Sequence, residues 1–173
     1  MEKEARQEQI LEMIERAQQP ISATAIAKEF GVSRQVVVGD VALLRSSGAE
    51  IIATARGYTI PINQSKKYYY GKIACCHDPK DTKSELYAIV DLEAIVVDVV
   101  VEHEVYGEIT GQLNLKTRLD VDEFQKKIDA DEIKLLSELT NGIHLHTIAC
   151  NDKTHFLKVK EELSIMGYLL NNN

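Results

Sequence analysis

The fold is decided by residues 22–48, which read SATAIAKEFGVSRQVVVGDVALLRSSG. Ser22 can accept hydrogen bonds from the free N–H groups at the start of a short helix, and Gly31 permits a sharp turn at its end. Ser33 offers the same kind of cap to a longer helix, for which Gly48 is the stop signal. The stretch therefore predicts two helices joined by a tight glycine turn.

A helix precedes this stretch and a hairpin follows it. Residues 4–17 place apolar side chains at helical spacing, which predicts an amphipathic first helix. After the third helix, the extended runs 51–53 and 58–60 enclose a turn that contains Arg56 and Gly57. Three helices and a short hairpin in this order predict a winged helix-turn-helix, in which the helix after the turn enters the DNA major groove N-terminus first.

Four residues are predicted to contact DNA. Ser33, Arg34 and Gln35 open the third helix and would face the bases, and Arg56 at the tip of the hairpin would reach a phosphate or the minor groove. The alternative is a three-helix interaction module that does not bind DNA. The charge of residues 1–60 keeps that alternative open, because 7 Lys and Arg stand against 8 Asp and Glu.

Gly39 departs from good helix chemistry inside the third helix. Glycine in a helix interior costs about 1 kcal/mol relative to alanine. Either it lets the helix approach another molecule closely, or the packing of the helix tolerates it.

Length, composition and net charge exclude several classes of protein. With 173 residues and 45% apolar content the chain can bury a core, so a disordered protein is excluded. The N-terminus, MEKEARQEQI, is charged where a signal peptide is apolar, and no apolar run approaches the roughly 18 residues of a membrane span. We expect a cytoplasmic protein without a membrane partner. The net charge of −7 disfavours indiscriminate binding to nucleic acid.

A boundary is predicted in residues 61–70, PINQSKKYYY, where a proline and polar residues interrupt the periodic segments. We assign residues 1–62 to the winged helix-turn-helix domain and residues 71–173 to a second domain. Strands are predicted over 72–77, 95–107, 109–115 and 144–150, and helices over 82–94, 121–129, 131–139 and 153–167. This alternation predicts a mixed α/β sandwich, in which helices cover a sheet, and an α+β chain overall.

A metal site is one interpretation of the histidines in the second domain. His144 and His146 point to the same face of a strand about 7 Å apart. His77 ends another strand, and Glu85 lies in the helix that follows it, so both can converge on the same end of the sheet. Three imidazoles and a carboxylate suit Zn, Ni, Fe or another divalent ion. The alternative is a set of partly exposed strand histidines.

Other residues of the second domain allow two interpretations each. His103 and Tyr106, near the end of the long strand, can line a ligand pocket, or His103 can be a hydrogen-bonded core residue. The three cysteines, two of them adjacent at Cys75 and Cys76, have no metal or disulfide spacing, and we interpret them as buried free thiols.

The order of these features resembles a known family. The first sixty residues are similar to the winged helix of bacterial repressors such as the biotin repressor. VSRQ and ALLR, followed by KIACCHD, VEHEVYGEITGQL and GIHLHTI, resemble the nicotinate-responsive NiaR family nearly end to end. The resemblance implies a homodimeric repressor of NAD biosynthesis and niacin uptake genes, with nicotinic acid as co-repressor and operator DNA as partner. It also implies a 3H domain whose metal ligands are His77, Glu85, His144 and His146.

Two other functions compete with this interpretation. A metal with an open coordination position can activate water, which would make the second domain an enzyme. The fused DNA-binding unit favours a sensor without catalytic activity. The other competitor is a winged-helix regulator that responds to the metal itself or to another small carboxylate.

Overall fold

The chain divides into two compact units, Met1–Gln64 and Ser65–Asn173. A computed structural model describes residues 2–61 and 67–170; residues 62–66 of the predicted linker lie outside the described residues. The first unit is helical with a small hairpin, and the second combines helices with an antiparallel sheet. The predicted α+β fold is therefore confirmed.

Three helices and a hairpin form the first unit. They are α1 (Lys3–Arg16), α2 (Ala23–Phe30), α3 (Arg34–Ser46), β1 (Ile52–Thr54) and β2 (Gly57–Thr59). Their core consists of the buried side chains of Ile10, Ile14, Ala23, Ile26, Ala27, Val37, Val41 and Ile51. The apolar stripes of all three helices thus share one core, as amphipathic helices require.

The turn between α2 and α3 has the predicted chemistry. The Ser22 hydroxyl oxygen accepts from the Ala25 N–H at 3.1 Å, and the Ser33 oxygen accepts from the Val36 N–H at 3.2 Å. Gly31 has a φ of 63°, the left-handed conformation that ends a helix at low steric cost. These caps fix the direction in which α3 leaves the turn.

The hairpin has a third extended partner that the sequence pattern did not predict. Ile21 and Tyr58 exchange two backbone hydrogen bonds of 2.9 and 2.8 Å, so the segment before α2 pairs with β2. Gly57 is required there: its φ is 132°, and a Cβ atom would lie 2.4 Å from the Ile21 carbonyl. The hairpin is therefore attached to the helices by its backbone.

A nearly buried ion pair joins α1 to α3. Asp40, 2% exposed, accepts from Arg6 at 2.7 and 3.3 Å and from the Gln7 amide at 3.0 Å. Burial raises the pKa of Asp40, but the hydrogen bonds from Arg6 and Gln7 outweigh it and leave the pKa below its ordinary value. The ion pair therefore connects α1 to α3.

A four-stranded sheet forms the centre of the second unit. Its elements are β3 (Tyr69–Cys76), α4 (Thr82–Asp91), β4 (Ile95–His103), β5 (Gly107–Leu115), α5 (Arg118–Ala130), β6 (Ile143–Cys150) and α6 (Lys153–Ile165). The strands run antiparallel in the order β3, β6, β4, β5, so β4 is an inner strand, as its β-branched sequence predicted.

One face of the sheet is covered by helices. Gly71 of β3 lies against α6 so closely that a Cβ atom there would meet the Phe156 ring at 2.4 Å. Cys75 pairs with His144, and Ile73 pairs with His146, so these four residues share a face. All four are buried. The register thus places the histidines of β6 in the interior of the unit.

Two local predictions were wrong. The segment 131–139, predicted as a helix, is a turn followed by a short 3₁₀ helix over Leu136–Thr140. Glu132 has a left-handed φ of 49° and Leu135 is extended, which ends α5 and prevents a second α-helix. The first strand of the sheet starts at Tyr69, inside the predicted linker, where the Tyr69 ring packs on Phe156 at a centroid distance of 5.5 Å.

The last described residues add to the edge of the sheet. Cys76 donates its N–H to the Tyr168 carbonyl, and Leu170 donates its N–H to the Ala74 carbonyl, both at 2.9 Å. In the part of the chain that the structure describes, no helix is long and apolar enough to cross a membrane.

Candidate functional site

The start of α3 presents the residues predicted to contact DNA. Ser33, Arg34 and Gln35 are all exposed. Ser33 uses its oxygen as an acceptor in the helix cap, and its O–H keeps a donor function for a phosphate. A helix N-terminus also attracts phosphate through its dipole. The structure therefore brings the three residues together on one accessible end of α3.

An exposed stripe continues from this end along α3. Val36 is 38% exposed and Leu43 is 44% exposed. Gly39 lies three residues after Val36 and four before Leu43, the spacings that put residues on one helix face. A Cβ atom at Gly39 would meet nothing within 4 Å. Protein packing therefore does not require glycine at this position. Sequence reasoning missed Val36, whose exposure identifies it as a candidate for apolar contact with a thymine methyl group.

Arg56 lies in the turn of the hairpin, as predicted, and is half-buried. Its guanidinium donates to the Gln19 side-chain oxygen at 3.2 Å, and its backbone N–H donates to the Thr54 hydroxyl at 3.1 Å. These contacts orient the arginine before any ligand arrives. Sequence reasoning missed Gln19, because residues 37 positions apart show no local pattern.

Three imidazoles of the second unit converge on one carboxylate. Glu85 of α4 contacts His77, which follows β3, through the ring Nε2 atom. The Nε2 atom of His144 lies 3.2 and 3.3 Å from the two carboxylate oxygens, and the Nε2 atom of His146 lies 3.0 Å from the nearer one. The four side chains are at most 4% exposed. The structure thus brings together every residue predicted as a metal ligand.

Each of these imidazoles has its other ring nitrogen fixed by the backbone. The Nδ1 contacts run from His77 to the Asp78 carbonyl at 2.9 Å, from His144 to Gly142 at 2.8 Å and from His146 to Asp98 at 2.7 Å. A carbonyl oxygen only accepts, so each Nδ1 carries the proton and each neutral ring keeps its Nε2 lone pair. This is the arrangement that orients metal-binding histidines.

The Glu85 carboxylate and the imidazoles of His77 and His146 shift each other's pKa. Burial raises the pKa of Glu85, but the charge of His146 and the hydrogen bonds of the three rings outweigh it, and the pKa is held well below its ordinary range. Burial lowers the pKa of His77 and His146, yet Glu85 raises both above the ordinary value. The cluster therefore requires positive charge between the rings and the carboxylate, which protons or a metal ion can supply.

A cysteine also faces the cluster. The Cys75 sulfur, a Glu85 oxygen and a His144 ring nitrogen lie within 4.8 Å of one another. Burial, followed by the charge of Glu85, raises the pKa of the Cys75 thiol. Sequence reasoning assigned this cysteine only to the core, because its approach to His144 depends on the pairing of β3 with β6.

A groove of about 1010 Å³ includes His103 and His144 among its lining residues. The Nδ1 atom of His103 accepts from the Val105 and Tyr106 N–H groups at 3.1 and 3.3 Å, so the neutral ring carries its proton on Nε2. His103 is therefore placed as a hydrogen-bond donor, unlike the three clustered histidines. Tyr106, the other predicted ligand-binding residue, is not among the described lining residues of the groove. It is 76% exposed in the turn between β4 and β5, and its ring centroid lies 5.1 Å from that of His103.

Comparison with known families assigns both units. Residues 6–59 match an HTH domain, and residues 71–172 match the 3H domain. The two matches together span nearly all of the chain.

Two curated relatives align with this chain over most of their length. It is 36% identical over 167 residues to the transcription repressor NadR of Bacillus subtilis, covering 95% of this chain and 93% of the relative. It is also 36% identical over 168 residues to the probable transcription repressor NiaR of Thermotoga maritima, covering 97% and 95%. Both relatives are named as transcription repressors, so this chain is a DNA-binding regulator and not an enzyme, and it belongs to the NiaR family of 3H-domain transcription repressors.

Proposed function

We propose that this repressor acts in the cytoplasm on genes of NAD biosynthesis and niacin uptake, with nicotinic acid as its co-repressor. The observation that carries the proposal is the cluster of three histidines around Glu85, which lies in the same chain as a DNA-binding unit. The relatives named as repressors support the regulatory part. The resemblance to nicotinate-responsive repressors supports the choice of ligand.

A divalent metal ion, such as Ni, Zn or Fe, fits the donor set. The three Nδ1 atoms contact backbone carbonyls, so three neutral rings can direct their Nε2 lone pairs, together with the Glu85 carboxylate, at one ion. His77, Glu85, His144 and His146 would hold the ion. When bound, it would supply positive charge and an open position for the pyridine nitrogen or carboxylate of the ligand.

The negative charge of the groove would make the binding of a carboxylate ligand depend on a bound metal ion. Glu102, Glu104 and Glu108 line it together with His103, and no lysine or arginine is among the described residues of its wall. These glutamates would repel a carboxylate ligand unless a cation offsets them. The His103 Nε2–H group is suited to donate to the ligand, and Tyr106 is the second residue we assign to this binding site.

The same acidity favours a second candidate function, in which the metal itself is the effector and no carboxylate ligand is needed. Calorimetry with nicotinate, nicotinamide and Zn²⁺, alone and in combination, separates the two. Nicotinate binding only to the metal-loaded protein supports co-repression by nicotinic acid. Metal binding that alone changes operator affinity, without nicotinate binding, supports the second function.

Two substitutions test the DNA-binding role, one at the start of α3 and one in the turn of the hairpin. Arg34→Ala should weaken operator binding by about 1–3 kcal/mol if the side chain reaches a base edge. Arg56→Ala should weaken operator and scrambled DNA more evenly, because phosphate contacts carry no sequence information. Gel shifts on both DNAs measure this. Negligible effects of both substitutions would show that α3 and the hairpin do not read the operator.

We also propose that the repressor binds as a homodimer to a two-fold symmetric operator. One reading helix contacts only a few base pairs, and paired half-sites are the usual solution. Light scattering with and without operator DNA tests this, and a monomer at micromolar concentration in both cases contradicts it.

A further inference from the structure

We propose that the metal centre has a sulfur ligand, the Cys75 thiolate, and that this ligand makes the site selective for Zn²⁺, Ni²⁺ or Co²⁺ over hard cations such as Mn²⁺ and Mg²⁺. The inference rests on the proposed metal site and adds a donor that the histidine spacing does not indicate.

Strand register is the first observation that carries it. Cys75 lies directly opposite His144 in the antiparallel pair of β3 and β6. Opposite residues of such a pair project from the same face with Cβ atoms about 5 Å apart. Cys75 is 0% exposed, so its sulfur faces the cluster and not solvent.

The distances between donor atoms are the second observation. The Cys75 sulfur, a Glu85 oxygen and a His144 nitrogen lie within 4.8 Å of one another. A zinc ion binds sulfur at about 2.3 Å and nitrogen or oxygen at about 2.0–2.2 Å, so in a tetrahedral site two of its ligand atoms lie about 3.6 Å apart. Binding an ion would therefore draw the Cys75 sulfur and its partners together by up to about 1 Å.

The chemical softness of a thiolate ligand determines which cations the site prefers. Thiolates favour borderline and soft cations, whereas a carboxylate with water favours Mg²⁺ and Mn²⁺. On binding, the Cys75 S–H bond is replaced by a sulfur–metal bond, and the proton leaves to the buffer. The preference among cations should therefore change when the sulfur is replaced by oxygen.

Cobalt is the probe for a direct test with the full-length protein. Chelator-treated protein is titrated with Co²⁺, and absorption is recorded in the visible and near-ultraviolet. We expect a thiolate-to-cobalt charge-transfer band in the wild type and its loss in Cys75→Ser, which still binds Co²⁺ through the remaining ligands. The ratio of Zn²⁺ to Mn²⁺ affinity should fall at least about 10-fold in that variant.

A double variant keeps the test decisive if Cys75→Ser does not fold. The chain has three cysteines, so Cys76→Ser with Cys150→Ser leaves Cys75 as the only thiol. Retention of the band in this double variant supports the assignment. Stoichiometric Co²⁺ binding without a charge-transfer band in the wild type overturns the sulfur ligand and leaves the metal site intact. Failure of the wild type to bind Co²⁺ or Zn²⁺ overturns both.

Discussion

At the residue scale, the contact of the Nδ1 atom decides what each histidine can do. His144 and His146 donate from Nδ1 to backbone carbonyls, which leaves Nε2 as a ligand atom. His103 instead accepts at Nδ1, which leaves Nε2 as a donor. Residues of one type thus divide into candidate metal ligands and a hydrogen-bond donor because the backbone around them differs.

Protonation of the cluster gives the first prediction. In metal-free protein, His77 and His146 have folded pKa values above the unfolded value of about 6.5. Their stabilising contribution is complete below that pH and is lost as pH rises through the folded pKa values. We expect the thermal midpoint of the second unit to fall with rising pH in chelator-treated protein and to change little in Zn²⁺-loaded protein. Circular dichroism melts at several pH values measure this. Parallel pH profiles for the two forms would contradict the assignment.

The nearly buried pair of Asp40 and Arg6 gives the second prediction. Asp40→Ala should lower the free energy of unfolding of the first unit by about 1–3 kcal/mol, because Arg6 and Gln7 lose an ionised acceptor. The Asp40 contribution is present above the unfolded pKa of about 3.9 and is lost as pH falls through the depressed folded pKa.

The control for Asp40→Ala is Glu12→Ala, which removes an exposed pair with Arg16 whose atoms are 3.6 Å apart. It should change the stability by less than about 0.5 kcal/mol. Urea unfolding of both variants at neutral and acid pH gives the comparison. Equal losses in the two variants would show that burial of the Asp40 pair has no special effect.

At the element scale, the capped ends of α2 and α3 were predictable from the sequence. The break in the helix predicted over 131–139 was not. Ser22, Gly31 and Ser33 specify caps through their own chemistry, so α2 and α3 begin where predicted. Residues 131–139 have the apolar spacing of a helix, but Glu132 is left-handed and Leu135 is extended in the structure, and these two conformations break the helix. Local periodicity cannot report such an effect.

Gly39 gives an element-scale prediction for α3. Gly39→Ala should raise the free energy of unfolding by up to about 1 kcal/mol, because alanine favours the helix and the space at this position is open. It should also weaken operator binding several-fold, since the methyl group projects from the exposed stripe beside Val36. The control is Ser46→Ala at the opposite end of α3, which should leave DNA affinity unchanged. A stabilised variant with normal operator affinity would show that Gly39 does not approach DNA.

At the scale of the whole molecule, the four side chains of the candidate metal site were predictable, but the groups that surround them were not. The i, i+2 spacing of His144 and His146, with His77 and Glu85 at the adjoining strand end, indicated four residues that the structure brings together. Cys75 and the Asp98 carbonyl were not predictable, because their positions depend on which strands pair and in which register. A single sequence does not specify that pairing.

Regulation by nicotinic acid requires a free-energy coupling between the two units. If the ligand favours the DNA-binding form by about 1–3 kcal/mol, operator affinity rises about 5–150-fold, and operator DNA must tighten nicotinate binding by the same factor. His146→Ala removes one of the four proposed metal ligands of the second unit. We expect it to leave basal operator affinity near normal and to abolish the nicotinate effect.

The measurement is operator affinity against nicotinate concentration for the wild type, chelator-treated protein and His146→Ala, with nicotinate affinity measured in the presence and absence of operator. Tyr106→Ala is the matched control, because it changes an exposed tip residue without removing a metal ligand. It should weaken nicotinate binding modestly and keep the response at saturating ligand. An undiminished nicotinate response in demonstrably metal-free protein would refute a shared metal and ligand site, because the acidic groove would then hold the carboxylate without a cation to offset its charge.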